Sequence, residues 1–295
     1  MTKGLLKTKF VHDFLRDPSA LIGSAIVLVL ALAALLAPVI TPQNPYDLRT
    51  VSLEHFLTPP IWMEGGGSPF ILGTDDQGRD ILSTILYGLR TSLTVAFGVV
   101  LLAGGFGVTM GLVAGYYGGL LDAFLMRVAD TFFSFSTTLI AFLLLGLFKQ
   151  SGIFIVIMAI CVADWVRYAR TMRGSVLEVK GLAYVMAAQA TGAKDFRILV
   201  RHVLPNALPP IMVVVAVDLA VVIMIEASLS FLGVGVPLTE PSLGMMIAIG
   251  KDYVYAGMWW MVVFPGAALI LLVVGINLFA DWLREKLNPK IERGR

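Results

Sequence analysis

The sequence predicts an all-α membrane protein, a polytopic bundle of six transmembrane spans. Three observations carry this. The chain is 58% hydrophobic and only 14% charged, against about 25% charged residues in soluble domains. Its apolar residues gather into six runs of about 18–25, the length that crosses about 30 Å of hydrocarbon. Its cations cluster in alternate connecting segments, the bias that sets the orientation of membrane helices. The single cysteine, Cys161, lies inside an apolar run, so there is no disulfide framework and no CxxC metal site. His12, His55 and His202 fall in separate loops and do not suit a metal.

Residues 1–19 form a short N-terminal segment. The first span, near 20–40, follows Lys3, Lys7, Lys9 and Arg16. Its apolar core is too long for a signal peptide, and Pro38 follows Ala37 where cleavage would be needed, so it reads as an uncleaved anchor. Residues 41–91 form an outer segment. Within it the string Gly73–Asp80 lacks calcium-loop spacing and reads as an ordered turn leading into an interfacial helix, with Arg79 paired to nearby acids. Residues 92–282 hold five further spans, near 92–115, 122–148, 153–170, 208–232 and 261–282, and a tail follows over 283–295. Asp122, Arg127 and Asp130 blur the start of the 122–148 span. With the N-terminus inside, 17 of the 22 basic residues are cytoplasmic, and Arg49, Arg79, Arg90, Lys149 and Lys251 are outside. Both termini and the polar loop 180–207 are then cytoplasmic.

That loop contains the most informative stretch, MAAQATGAKDFRILVRHVLPN, Met186–Asn206. Ala187, Ala188, Ala190, Gly192 and Ala193 make a small-residue surface that lets another backbone approach closely. From Lys194 onward, Phe196, Leu199, Val200 and Val203 recur at helical spacing, which predicts one apolar face. Lys194, Arg197 and Arg201 lie on the opposite face. Asp195 stands where a carboxylate favours a helix N-terminus. His202 closes the amphipathic run, Pro205 interrupts it, and Pro209 and Pro210 mark the next span. The expected order is helix, glycine turn, helix, membrane. An ordinary solvated basic loop fits the same pattern.

Two further patterns lie in the spans. Gly107, Gly111, Gly115 and Gly119 repeat every fourth residue, a stripe that suits close helix packing. Asp218 and Glu226 stand two turns apart in one span, and Asp164 stands near Arg167. Intramembrane carboxylates usually face a cavity or a partner. Asp218 and Glu226 therefore face a path through the protein interior, meet a partner chain, or pair within the chain. Trp259 and Trp260, at a span boundary, read as interfacial anchors.

The loop motif resembles the EAA coupling loop of importer-type ABC permeases. Leu72–Leu93, LGTDDQGRDILSTILYGLRTSL, narrows the resemblance, with GYYGGLLD at Gly115–Asp122, PSLGMMI at Pro241–Ile247, WWMVVFPG at Trp259–Gly266 and NLFADWLREKLNPK at Asn277–Lys290. Together they resemble the C-type permease subunit of dipeptide, oligopeptide and nickel importers, from about Phe14 to Lys290. Met186 stands at the motif's Glu position, and Ala280 and Asn288 replace an expected Gly and Asp. The resemblance implies a type I importer permease in a bacterial or archaeal cytoplasmic membrane. It implies a heterodimer with a homologous B-type permease, two cytoplasmic ATPase subunits and an extracytoplasmic solute-binding protein. ATP and Mg would be bound by the ATPases and no cofactor by this chain, which is then not an enzyme; lipid is a partner and nucleic acid is not. Segments 41–91 and 233–258 are expected to meet the binding protein. Di- or oligopeptides are the expected cargo, with nickel chelates, glutathione, opines or sugars as alternatives. A secondary carrier or channel is the competing class, but it needs no small-residue docking loop and usually shows inverted repeats. A membrane enzyme lacks any nucleophile–base pair in the sequence.

Overall fold

Helices make up nearly all the regular structure in the computed structural model, which describes residues 12–47, 53–148, 152–237 and 239–287. Lys3, Lys7, Lys9, Arg49, Lys149, Asn288 and Lys290 lie outside the described residues. The first helix, α1 (Pro18–Leu35), starts where Asp17 Oδ1 accepts from the amides of Ser19 at 3.0 Å and Ala20 at 3.3 Å. Aspartate at the cap and proline at the first turn are the standard chemistry of a helix start. A short α2 (Ala37–Ile40) follows.

Helix α3 (Ile81–Tyr117) is one continuous element of 37 residues. At 1.5 Å per residue it is about 55 Å long, well beyond the hydrocarbon thickness. The interfacial helix expected before the second span is therefore the outer end of the span helix itself. Next come α4 (Gly119–Phe133), α5 (Thr137–Phe148), α6 (Ile153–Lys180), α7 (Ala183–Ala190), α8 (Asp195–Ile198), α9 (Leu204–Ala207), α10 (Pro209–Phe231), α11 (Leu243–Gly250) and α12 (Trp260–Leu287). Among the described residues, α1, α3, α10 and α12 are each long and apolar enough to cross a bilayer.

The expected 122–148 span is broken. α4 and α5 meet at an 80° bend. The break, residues 134–136, reads Ser-Phe-Ser, and Ser134 Oγ donates to Asp130 O at 2.8 Å. Serine hydroxyls compete for backbone acceptors in this way and weaken helix continuation. Taken together the bent pair is apolar enough for a fifth crossing. α6 is 28 residues long, and Asp164, Arg167 and Arg170 in the expected 153–170 span keep it out of the apolar set.

The chain forms two compact units. The first comprises the described parts of Met1–Ala96 with Leu145–Val156 and Ala220–Phe279. Here α1 and α12 pass closely: a Cβ on Gly23 would sit 2.8 Å from Gly275 O. Residues 53–80 fold into a knot about the Thr74–Asp80 bridge. Trp260 is buried against it, its indole N–H pointing at Thr74 O from 3.4 Å. It is a packing residue and not the interfacial anchor its position suggested; Trp259 beside it remains 38% exposed. An apolar cavity of ≈ 390 Å³ is lined by Met224, Ala227, Phe231, Gly244 and Ile247.

The second unit comprises Phe97–Leu144, Ile157–Leu219 and the described residues from Ala280. Its centre is the α3–α6 pair. A Cβ on Gly107 would collide with Trp165 O, one on Gly111 with Ala169 O, and one on Gly115 would lie 2.9 Å from Val176 Cβ. Partners advance along α6 as the glycines advance along α3, so the two helices run parallel at backbone contact. Gly119 has no atom within 4 Å of such a Cβ and takes φ +62° beside Gly118 at +66°. It opens α4 after Gly118 and does not share the packing stripe.

Candidate functional site

The polar loop between α6 and α10 is built as helix, turn, helix. α7 ends at Thr191, and Gly192 follows with φ +77°. Gly192 N donates to Gln189 O at 3.0 Å and Ala193 N to Ala188 O at 3.2 Å. This paired closure requires a left-handed residue after the cap, which glycine adopts without a Cβ penalty. Nothing lies within 4 Å of a Cβ placed on Gly192, so the turn stands clear of its own chain. Ala187 is exposed, and Ala188 and Ala193 are half-buried.

The second arm is helical from Asp195 to Ala207, but its register shifts midway. Leu199–Val203 is a π-turn, in which Leu204 N–H reaches back five residues to Leu199 O. Pro205 has no N–H to give Arg201 O, so the usual bonding cannot continue there and a wider turn absorbs the defect. The covered residues are not those the spacing predicts. Ile198, Leu199, Val203 and Ala207 are buried, while Phe196 is 77% and Val200 45% exposed. The expected apolar face of Phe196, Leu199, Val200 and Val203 is thus corrected: two of the four point outward, and Ile198 and Ala207 take their places. Lys194, Arg197, Arg201 and Pro205 are also exposed, and His202 is half-buried. The open face carries apolar and cationic groups side by side.

Asp195 does not cap its own helix. Its Oδ1 accepts from the Tyr116 hydroxyl at 2.8 Å. Lys180, the last residue of α6, donates to the Tyr116 carbonyl. Neither contact was foreseen, although Tyr116 sits inside the GYYGGLLD string. Two further unforeseen pairs hold α4 to α6: Arg173 grips Asp122 with Nε at 2.5 Å and Nη2 at 2.7 Å, and Arg170 meets Asp130 at 2.5 Å. The signal was present as two arginines three apart and two aspartates eight apart, all in helices.

The two carboxylates of α10 are fully buried. Asp218 accepts from Tyr168 Oη at 2.6 Å and pairs with Arg167, whose Nη2 also lies 3.6 Å from Asp164. Glu226 accepts from Ser92 Oγ and Ser230 Oγ, both at 2.8 Å. Ser230 Oγ in turn accepts from Val236 N at 3.3 Å. Both acids thus have partners within the chain.

In the knot, Asp75 Oδ1 accepts from the amides of Gln77 and Arg79, both at 2.9 Å, and its Oδ2 meets Arg79 Nε at 2.7 Å. Asp80 Oδ2 accepts from Ser83 N at 2.8 Å and caps α3. Burial pushes the Asp80 carboxyl above the usual range, against the Ser83 hydroxyl and amide that favour its charged form. Asp76 is raised by burial and then by neighbouring Asp75. No group of three His, Cys, Asp or Glu side chains among the described residues is arranged to hold a metal.

A family model described as binding-protein-dependent transport system inner membrane component matches residues 107–293. A second, described as the N-terminal TM domain of oligopeptide transport permease C, matches residues 8–60. The chain is 36% identical to the dipeptide transport system permease protein DppC of Haemophilus influenzae, covering 97% of this chain and 95% of that one. It is 34% identical to the di/tripeptide transport system permease protein of Pseudomonas aeruginosa, over 96% and 92%. It is 33% identical to the oligopeptide transport system permease protein OppC of Bacillus subtilis, over 95% and 88%. Among solved structures, the native crystal form of the inward-facing MetNI methionine ABC transporter is similar in fold, with TM-score 0.54 and 22% identity over 70% of this chain and 96% of that one.

Proposed function

Because the chain belongs to the binding-protein-dependent transport system inner membrane component family, we propose that it works as the permease subunit of an ATP-driven importer of di- or oligopeptides. The cargo class is supported by the names of the three relatives, which are dipeptide, di/tripeptide and oligopeptide permeases. The proposed assembly pairs this chain with a homologous B-type permease, two cytoplasmic ATPases that bind ATP and Mg, and an extracytoplasmic binding protein. Both termini and the loop lie in the cytoplasm, as the distribution of Lys and Arg supports.

The observation that carries the reading is the open face of the loop. Phe196 and Val200 are exposed beside Arg197 and Arg201. An exposed aromatic at a helical surface rimmed by cations suits a protein interface. We assign that face, with the clear turn at Gly192, to the ATPases. Closure of the ATPases on ATP then moves the loop as a lever, and the two states of the permease differ in how they bind the closed ATPase pair. We assign the outer segments 41–91 and 233–258 to the binding protein; Glu54, Glu64 and Thr239 are exposed there, and Glu240 is half-buried.

The test is reconstitution. The four kinds of subunit are placed in proteoliposomes, and uptake of labelled di- and tripeptides is followed with and without ATP, with a photo-crosslinker at each of those four outer positions. The expected result is ATP-dependent peptide uptake that needs the binding protein and captures it. Uptake of a nickel chelate, glutathione, an opine or a sugar in place of peptides would overturn the cargo. Uptake without ATPases would overturn the class. Capture of the other permease alone would assign the outer segments to subunit packing.

A further inference from the structure

The string Gly115–Asp122 places two adjacent tyrosines, Tyr116 and Tyr117, at the end of α3. Its second residue, Tyr116, is buried at the cytoplasmic end of α3, at 5% exposure. Three parts of the polar loop meet on it. Lys180, at the entry to the loop, donates to its backbone carbonyl and holds its ammonium 5.5 Å from the ring centroid. Gln189, in the loop's first helix, lies beside its hydroxyl. Asp195, at the start of the second helix, accepts from that hydroxyl at 2.8 Å. The last carbonyls of a helix have no partner within it, and a cation is favoured beside them, so the Lys180 contact satisfies the end of α3. The phenol spans from that end to both arms of the loop. Tyr117, the next residue, is 54% exposed and makes no such bridge.

We propose that Tyr116 is the positioning residue that ties displacement of the loop to the membrane helices. The inference rests on the reading of the loop as the ATPase-facing lever. A load on the loop's second helix reaches α3 through the hydroxyl that Asp195 holds, and α3 is locked to α6 at backbone contact through Gly107, Gly111 and Gly115. The loop, α3 and α6 then shift as one piece. Without the hydroxyl the loop still docks but moves against a slack joint.

Tyr116→Phe removes one oxygen and keeps the ring, the carbonyl and the cation above the ring. In the fully reconstituted transporter, ATP hydrolysis and substrate uptake are measured in the same vesicles. The expected result is more ATP consumed per molecule imported, on the order of ten-fold, the scale of one lost hydrogen bond to a charged acceptor, with the yield of assembled complex unchanged. Asp195→Leu should reproduce the change, the double variant should add nothing to it, and Asp195→Asn, which keeps an acceptor oxygen, should restore coupling. An unchanged ratio in Tyr116→Phe overturns the proposal. Should Tyr116→Phe assemble poorly, the exposed Asp195→Leu carries the same test with the same two outcomes. Co-purification of the ATPases with the Arg197→Glu, Arg201→Glu double variant separates the two levels. If that variant loses the ATPases while Tyr116→Phe keeps normal coupling, the lever stands and the joint falls. If it keeps them at full yield, the lever itself is overturned, and the joint with it.

Discussion

The knot around Thr74–Ser83 and the loop Leu182–Ala207 are both polar segments between apolar helices, yet they are finished in opposite ways. In the knot Thr74, Asp75, Arg79, Asp80 and Ser83 are all buried, and Asp75 is bonded on both oxygens. In the loop Phe196, Arg197, Val200 and Arg201 are open. The knot buries its charges and holds Asp75, Arg79 and Ser83 by bonds within the segment. The loop leaves an aromatic and two cations uncovered, the kind of surface that suits an interface. The difference separates a segment closed on itself from one that we propose receives a partner, and substitutions in the two segments should fail in different ways.

The largest effect is expected in the knot. Arg79→Leu leaves the Asp75 carboxylate buried without its cation, at a cost of about 3–5 kcal/mol. The amount of folded protein recovered from membranes should fall sharply, and uptake per molecule recovered should change little. Normal recovery would mean that the knot is not self-contained. Next comes Gly192→Leu in the loop. A left-handed side chain costs about 1–2 kcal/mol, and the new bulk fills the clear space at the turn. Insertion should be normal and transport abolished, so wild-type uptake would count against docking at this turn. Smaller still is Arg197→Glu with Arg201→Glu. Exposed ion pairs are worth about 0.2–1 kcal/mol each, so single changes should be nearly silent while the double lowers ATPase recovery on co-purification.

The smallest effect is a pH dependence confined to the knot. The folded state holds the Asp80 proton more tightly than the unfolded chain does, because burial disfavours the charged form. That contribution to stability is complete below the ordinary carboxylate value of about 4 and is lost as pH rises through the raised folded value. Hydrogen exchange over residues 74–84, corrected for intrinsic rate, should show more protection at pH 5 than at pH 8. Asp80→Asn should flatten the difference, while the loop Leu182–Ala207 shows no matching trend. An equal slope in both segments would erase the contrast.

The buried acids of α10 show the limit of reading charges from a sequence. Their rarity in an apolar run marked Asp218 and Glu226 as special, and three settings were open for them. In the structure Asp218 meets Arg167 and Tyr168, and Glu226 meets the hydroxyls of Ser92 and Ser230. The partners lie 50 and 51 residues away for Asp218, and 134 away for Glu226's contact with Ser92. No local pattern could select those residues over other serines and arginines.

What the sequence determined by itself was everything that depends on local composition. Run length and charge bias define membrane helices because hydrocarbon excludes unpaired polar groups over a set thickness. Glycine at 192 and proline at 205 mark a turn and a break because each restricts or frees the backbone at its own position. The tertiary structure alone decided the rest. It placed the 80° break inside an apolar run and buried Trp260 against the knot. It left Phe196 and Val200 uncovered beside buried Ile198 and Leu199, and gathered Lys180, Gln189 and Asp195 about Tyr116. Such choices depend on which distant surfaces meet, which no run of neighbouring residues records.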